Sequence, residues 1–196
     1  MDFLNSGKSV LQKEIKGLQQ LEQSLGDDFI AAAGAISNTK GKVIFLGLGK
    51  SGHVAKKCAA TFSSLGIPSF FVHASEAFHG DAGMISNNDS IVAFSFSGKT
   101  IEVVNAVKYC NQNNITVIGI SGNSDSPLAK ISHIHLDICI NNEADHLNLA
   151  PTSSTTNMMA LCDALASAIS EEKGFTRSDF HQFHTGGDLG NQLEDK

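Results

Sequence analysis

Apolar residues Leu11, Ile15, Leu18, Leu21 and Leu25 recur at intervals of three and four, so the chain should open with an amphipathic helix. That stripe needs a surface to cover it. Gly26-Asp27-Asp28 interrupts the pattern, and Phe29, Ile30, Ala33 and Ile36 restart it in a second, shorter helix ending near Asn38-Thr39-Lys40-Gly41. From Val43 the texture changes to short, continuous apolar runs bounded by glycine or polar residues: VIFLGL (43–48), SFFVH (69–73), SIVAFS (90–95), ITVIGIS (115–121) and HIHLDICI (133–140). Runs of that length without alternation predict strands buried on both faces of a parallel sheet. Helical spacing fills the intervals, roughly 51–65, 75–83, 100–113, 124–131 and 152–173, and a short helix is expected over about 176–182. Strand and helix alternate throughout. Right-handed crossovers of this kind build a three-layer α/β/α sandwich on a five-stranded parallel sheet.

Length and composition narrow the class. At 196 residues, 41% hydrophobic and 17% charged, with 18 glycines and 3 prolines, the chain reads as one globular domain with no linker, repeat or low-complexity stretch. We divide it into N-terminal helices (1–40), an α/β core (41–173) and a C-terminal helix with a tail (174–196). The formal charge is −6 and Arg177 is the lone arginine, which argues against nucleic acid as a partner. No apolar run reaches a membrane-spanning length and the first residues do not read as a signal peptide, so no membrane association and a cytoplasmic location are expected. Cys58, Cys110, Cys139 and Cys162 form no C-x-x-C pair and read as reduced core residues.

In a doubly wound sheet, ligands bind beyond the carboxyl ends of the strands, so the residues following each strand carry the chemistry. Gly47-Leu48-Gly49-Lys50-Ser51-Gly52 matches G-x-G-x-x-G between a strand and a helix. A dinucleotide site also needs an acidic residue at the end of the second strand, and Val72-His73-Ala74 stands there. A nucleotide P-loop needs glycine five residues before Gly49, where the chain has Ile44. What remains is a tight glycine turn at a helix N-terminus carrying Lys50 and Ser51, suited to one phosphate or, more plainly, to capping a helix. Ser95-Phe96-Ser97-Gly98-Lys99-Thr100 follows the third run, and three hydroxyls in six residues exceed what a helix cap uses. With glycine among them, this segment is a phosphate-binding candidate.

Acid–base groups cluster nearby. His73, Glu76, His79 and Asp81 crowd the segment after the second run, Glu102 sits in the first turn after the serine loop, and His181 and His184 lie in the tail. Neither the tail histidines nor His133 and His135 have a cysteine partner or an H-E-x-x-H spacing, so no metal site is expected. A phosphate anchor with histidines, carboxylates and a lysine, and no redox motif, points to proton transfer on a small phosphorylated molecule. Aldose–ketose isomerisation through an enediol is the simplest such reaction.

The stretches GLGKSGHVAKKCAATFSSLGIPSFFVHASEAFHGDAGM (47–84), SFSGKTIE (95–102), LNLAPTSSTTNMMALCDALA (147–166) and GFTRSDFHQFHTGGDLG (174–190) together resemble the D-arabinose-5-phosphate isomerases of the SIS (sugar isomerase) domain superfamily. The resemblance implies the flavodoxin-like SIS fold and a cofactor-free interconversion of D-ribulose 5-phosphate and D-arabinose 5-phosphate, feeding 3-deoxy-D-manno-octulosonate for lipopolysaccharide or capsule. It implies catalytic groups at Lys50, His79, Glu102, Glu143 and His184, and phosphate contacts at Ser51, Ser95, Ser97 and Thr100 with help from Ser153 or Ser154. It also implies a homo-oligomer, a tetramer, with the first helix in an interface and active sites shared between subunits. The chain departs from the family pattern at Phe96, Thr185, Asp188 and Asn191, and it stops at Lys196 where many members continue into paired CBS domains. Isomerisation of hexulose 6-phosphate or sedoheptulose 7-phosphate, or sugar-phosphate sensing without catalysis, are the alternative readings.

Overall fold

A computed structural model of the chain describes residues 2–185. Helices α1 (Phe3–Ser24) and α2 (Asp27–Ser37) lead into β1 (Val43–Gly47), α3 (Gly49–Ser64) and β2 (Ser69–His73). After two 3-10 turns, Glu76–His79 and Asp81–Met84, come β3 (Ser90–Phe94), α4 (Ile101–Gln112), β4 (Thr116–Ser121), α5 (Pro127–Ile131), β5 (Ile134–Asp137), α6 (Ser153–Glu172) and α7 (Arg177–Phe183). All five strands are parallel in the order β2-β1-β3-β4-β5.

Successive residues of the central strands supply two separate cores, as the pleat requires. Phe45, Phe94, Ile118 and Ile120 pack with Phe62 of α3 and Met158, Leu161 and Leu165 of α6. Ile44, Leu46, Ile91 and Val117 face Val103, Val107 and Cys110 of α4 and Leu128 of α5. Every residue of β1 and of β3 is buried, which is why those runs read as unbroken apolar stretches.

Several expectations need correction. The span 75–83 does not form one helix: Gly80, at φ +121°, breaks it into two 3-10 turns. The helix expected over 124–131 shrinks to Pro127–Ile131, because Asn123 closes a side-chain turn on the amide of Asp125 and Ser126 with Pro127 starts the helix afterwards. The last strand is four residues long, because the Asp137 carboxylate takes the Cys139 amide and Cys139 turns at φ +55°. Cys139 is accordingly only half-buried, whereas Cys58, Cys110 and Cys162 are core residues. Burial pushes the Cys110 thiol up to about 11 and raises Cys162, which lies against Cys58, well above the ordinary value.

The stripe of the first helix is covered only in its second half. Leu21 is buried, but Leu11 and Ile15 are 60% and 54% exposed, and Phe3 and Leu4 more so. Gly17 makes the contact with the core possible, since a Cβ there would lie 2.8 Å from the Ile140 side chain. Asn157 of α6, fully buried, donates through Nδ2 to the carbonyls of Gly17 (3.0 Å) and Ile138 (2.9 Å), joining α1, the segment after β5 and α6. Asn157→Ala leaves these carbonyls without that donor, at a cost of about 1–3 kcal/mol. In a domain of this size thermal unfolding should then fall by roughly 3–10 °C; an unchanged Tm removes Asn157 from the account of how α1 docks.

Candidate functional site and relatives

The chain runs from β1 outward to β2 and then crosses to β3 on the other side of β1, so the direction of winding reverses between β1 and β3. The crevice at such a reversal is where doubly wound sheets bind ligands. Gly47 ends β1 and Gly52 lies in the first turn of α3, and a Cβ on either would meet the other's backbone at 3.2 Å. Glycine at both positions lets the first turn of α3 sit directly on the end of β1. Gly49, at φ +59°, makes the turn between them. Lys50 is exposed and Ser51 half-buried at this helix start, whose N-cap, Leu48, offers no side-chain acceptor.

Across the crevice, the 95–100 segment is tightly built. Ser95, 2% exposed, shares a hydrogen bond with Thr100, Oγ to Oγ1 at 2.8 Å. Its carbonyl accepts the Gly98 amide at 3.0 Å, and Gly98 turns at φ +62°. Ser97 is exposed and accepts the Lys99 amide at 3.2 Å. Thr100 is the N-cap of α4 and makes no side-chain capping bond, because its hydroxyl is turned to Ser95. Both helices flanking the crevice therefore begin without a side-chain cap, and their first amides remain donors for an anion. Glu102 is half-buried in the first turn of α4.

The start of α6 is different. Glu143, 6% exposed, accepts through Oε2 from the amides of Thr152 (2.8 Å) and Ser154 (3.1 Å), and its other oxygen takes the Ser154 hydroxyl. A carboxylate already fills the anion position of this helix. Ser153 and Ser154 are buried there, and Ser154 serves Glu143. Asn148 in turn accepts the Glu143 amide at 2.6 Å. This use of Glu143 as a remote helix cap is not legible in sequence, since it closes a nine-residue gap to Thr152 through an irregular segment. Glu143→Ala should cost about 1–3 kcal/mol by leaving the N-terminal amides of α6 without their acceptor; equal melting of variant and parent would show that the carboxylate is dispensable to the fold.

His79 closes the first 3-10 turn after β2 and is exposed. His184 is placed elsewhere. It caps α7, its ring stacks on Phe180 with centroids 3.9 Å apart, and its Nδ1 lies 2.9 Å from the Phe180 carbonyl. Phe180 borders a cavity of about 510 Å³ with Leu65, Ser167 and Ser170, at the carboxyl-terminal ends of α3 and α6. Lys50 and Ser153 lie at the opposite ends of those helices. With 1.5 Å of rise per residue, α7 is on the order of 20 Å from the crevice of its own chain. The structure thus places Lys50 and Ser51 just after β1, and Ser95, Ser97, Thr100 and Glu102 just after the adjacent β3, and does not bring His184 to them within a chain. Asp188 and Asn191 lie outside the described residues.

Among the described residues no group of three or more metal-ligating side chains is assembled, and no helix is long and apolar enough to cross a membrane. His133 and His135 are engaged in the sheet: His133 Nδ1 accepts the Val117 amide at 3.1 Å, and His135 Nε2 lies 2.8 Å from the Ser121 hydroxyl. Burial lowers the pKa of His135, against upward pulls from Asp137 and Asp28.

Residues 35–168 match the SIS domain family. The arabinose 5-phosphate isomerase KdsD of Pseudomonas aeruginosa is 47% identical over 193 residues, 98% of this chain and 59% of that protein, and the KdsD of Yersinia pestis is 46% identical over the same shares. The chain therefore spans about three fifths of the length of these relatives. Among solved structures, the c3406 protein of E. coli CFT073, in complex with arabinose 5-phosphate, superposes with a TM-score of 0.90 at 37% identity, covering 94% of this chain and all of that one. By the matched core, the shared fold and this identity, the chain belongs to the SIS domain family.

Proposed function

We propose that the protein is an aldose–ketose isomerase interconverting D-ribulose 5-phosphate and D-arabinose 5-phosphate, working without a cofactor, in the cytoplasm, on the route to 3-deoxy-D-manno-octulosonate. The observation that carries the reading is the crevice between β1 and β3, where the starts of α3 and α4 lack side-chain caps and Ser51, Ser95, Ser97 and Thr100 gather. Relatives named arabinose 5-phosphate isomerase, and a neighbour solved with that sugar phosphate, support the choice of substrate.

Amides and hydroxyls at the two helix starts hold the phosphate, fixing the sugar so that C1 and C2 lie near the acid–base groups. Ring opening of the aldose moves a proton at the ring oxygen, which we assign to His79. A base then removes the C2 proton to give a cis-enediolate with the charge on O1, the hydroxyl proton passes from O2 to O1, and the base returns its proton to C1, leaving the carbonyl at C2. We assign the carbon proton to His184. Lys50 stabilises negative charge on the enediolate oxygens, and Glu102 orients a hydroxyl or histidine at the start of α4. Glu143 acts through the start of α6 that it holds.

With His184 about a helix length from its own crevice, the assignment requires a second subunit to supply it. The exposed Phe3, Leu4, Leu11 and Ile15 of α1 offer a surface for that assembly, which we propose to be a tetramer. Association at this surface removes apolar area from water, the usual driving force for a lasting interface.

Ser97→Ala should raise KM for D-arabinose 5-phosphate about 10- to 100-fold, the equivalent of roughly 1–3 kcal/mol for a hydrogen bond to a charged group, with little change in kcat. His184→Ala should instead lower kcat by about 10²–10⁴ with phosphate affinity retained. If Ser97→Ala keeps its KM, the phosphate lies elsewhere; if His184→Ala keeps its kcat, a carboxylate is the base.

Shared sites make a further demand on mixtures. Co-refolding Lys50→Ala and His184→Ala subunits, each inactive alone, should recover a measurable share of activity, because some sites then combine an intact Lys50 with a neighbour's intact His184. Mixtures that stay inactive, or light scattering that finds a monomer at micromolar concentration, would contradict the shared site.

A further inference from the structure

The turn that presents Ser97 is braced from the far edge of the sheet. Gly98, at φ +62°, has no room for a side chain: a Cβ would lie 2.1 Å from Ser126 Oγ and 3.4 Å from Ser121 Oγ. Its carbonyl accepts the Leu128 amide of α5 at 3.0 Å, while the Phe96 carbonyl accepts the Gly122 amide at 2.9 Å. The 95–100 segment therefore rests on the β4–α5 connection rather than on its own helix.

Two buried hydroxyls form the contact surface of that connection. Ser126, 1% exposed, accepts the Ala129 amide as the cap of α5, which fixes its Oγ against Gly98. Ser121, fully buried, lies 3.4 Å from Ser126 Oγ and hydrogen-bonds the Asn123 carbonyl at 3.1 Å. His135 on the edge strand β5 completes the line, with Nε2 2.8 Å from Ser121 Oγ. Apolar residues would fill this space without the desolvation cost of three polar groups, so the row is built for direction rather than for burial.

We propose that His135 is a positioning residue for the phosphate loop, holding Ser121 and through it Ser126 against Gly98 so that Ser97 and the first amides of α4 are set for the phosphate before it arrives. This rests on the reading of the 95–100 segment as the phosphate site. His135 touches no substrate atom. Its effect is preorganisation: a loop already in its binding conformation loses less freedom when the ligand binds.

The test compares the unsubstituted protein with His135→Leu, His135→Gln and Ser121→Ala, measuring KM and kcat with D-arabinose 5-phosphate, dissociation constants for inorganic phosphate by calorimetry, and Tm. His135→Leu and Ser121→Ala should raise both KM and the phosphate dissociation constant about 5- to 10-fold, with kcat within about twofold of the parent. His135→Gln, which keeps a hydrogen-bonding group near the Nε2 position, should return both to within about twofold. Lower Tm with unchanged KM and phosphate affinity would reduce His135 to a fold-stabilising residue and overturn the proposal, as would a Gln variant as impaired as Leu. If His135→Leu does not fold, Ser121→Ala decides by the same criteria. Absence of turnover by the parent would fail the isomerase reading alone, leaving the phosphate affinities to judge the brace; a parent that binds no phosphate would remove both.

Discussion

The close approach of Gly47 and Gly52 sets the geometry on which the site depends. A single methyl group at either position would meet backbone at 3.2 Å, so the first turn of α3 and the end of β1 would have to give by a few tenths of an ångström. Because β1 is buried along its whole length between β2 and β3, the strand has no freedom to adjust. The start of α3 is thereby fixed relative to the start of α4, and the two helix termini share one crevice at the point where the winding of the sheet reverses. The proposed phosphate there would face two positive helix ends at once, each worth about 0.3–1 kcal/mol on an exposed surface and more when partly buried.

The helix starts of α3, α4 and α6 all follow strands at the carboxyl edge of the sheet, and the structure treats them differently. The one at α6 is closed by Glu143, whereas those at α3 and α4 carry no side-chain cap. A fixed carboxylate at the α6 start repels a second anion there, which favours the other two starts in the proposed reading. The difference also separates the serines at two helix starts: Ser97 is exposed and accepts only the Lys99 amide, while Ser154 is buried and bound to a carboxylate.

Much of this was legible in the chain. The unbroken runs at 43–48 and 90–95 report burial on both faces, and the glycine turn and serine loop that follow them sit where the crevice forms. Tertiary contacts with no local pattern were not legible. Glu143 reaches the start of α6 across an irregular segment, His135 meets Ser121 from another strand, and Asn157 bonds a carbonyl 140 positions away in sequence. Gly80 divides an apparently helical stretch through a positive φ that composition alone does not distinguish from a tolerated helical glycine. The exposed half of the α1 stripe has a different cause: its periodicity marks an apolar face correctly, but the described residues of the chain cover only the part around Leu21.

The most direct measurement is proton NMR of the protein incubated with D-ribulose 5-phosphate in deuterium oxide. The account predicts accumulation of D-arabinose 5-phosphate carrying deuterium at C2, since the carbon proton passes through an acid–base group that exchanges with solvent. A sugar phosphate recovered unchanged and unlabelled after prolonged incubation, with phosphate still bound at the crevice, would contradict it and leave a binding protein in place of an isomerase.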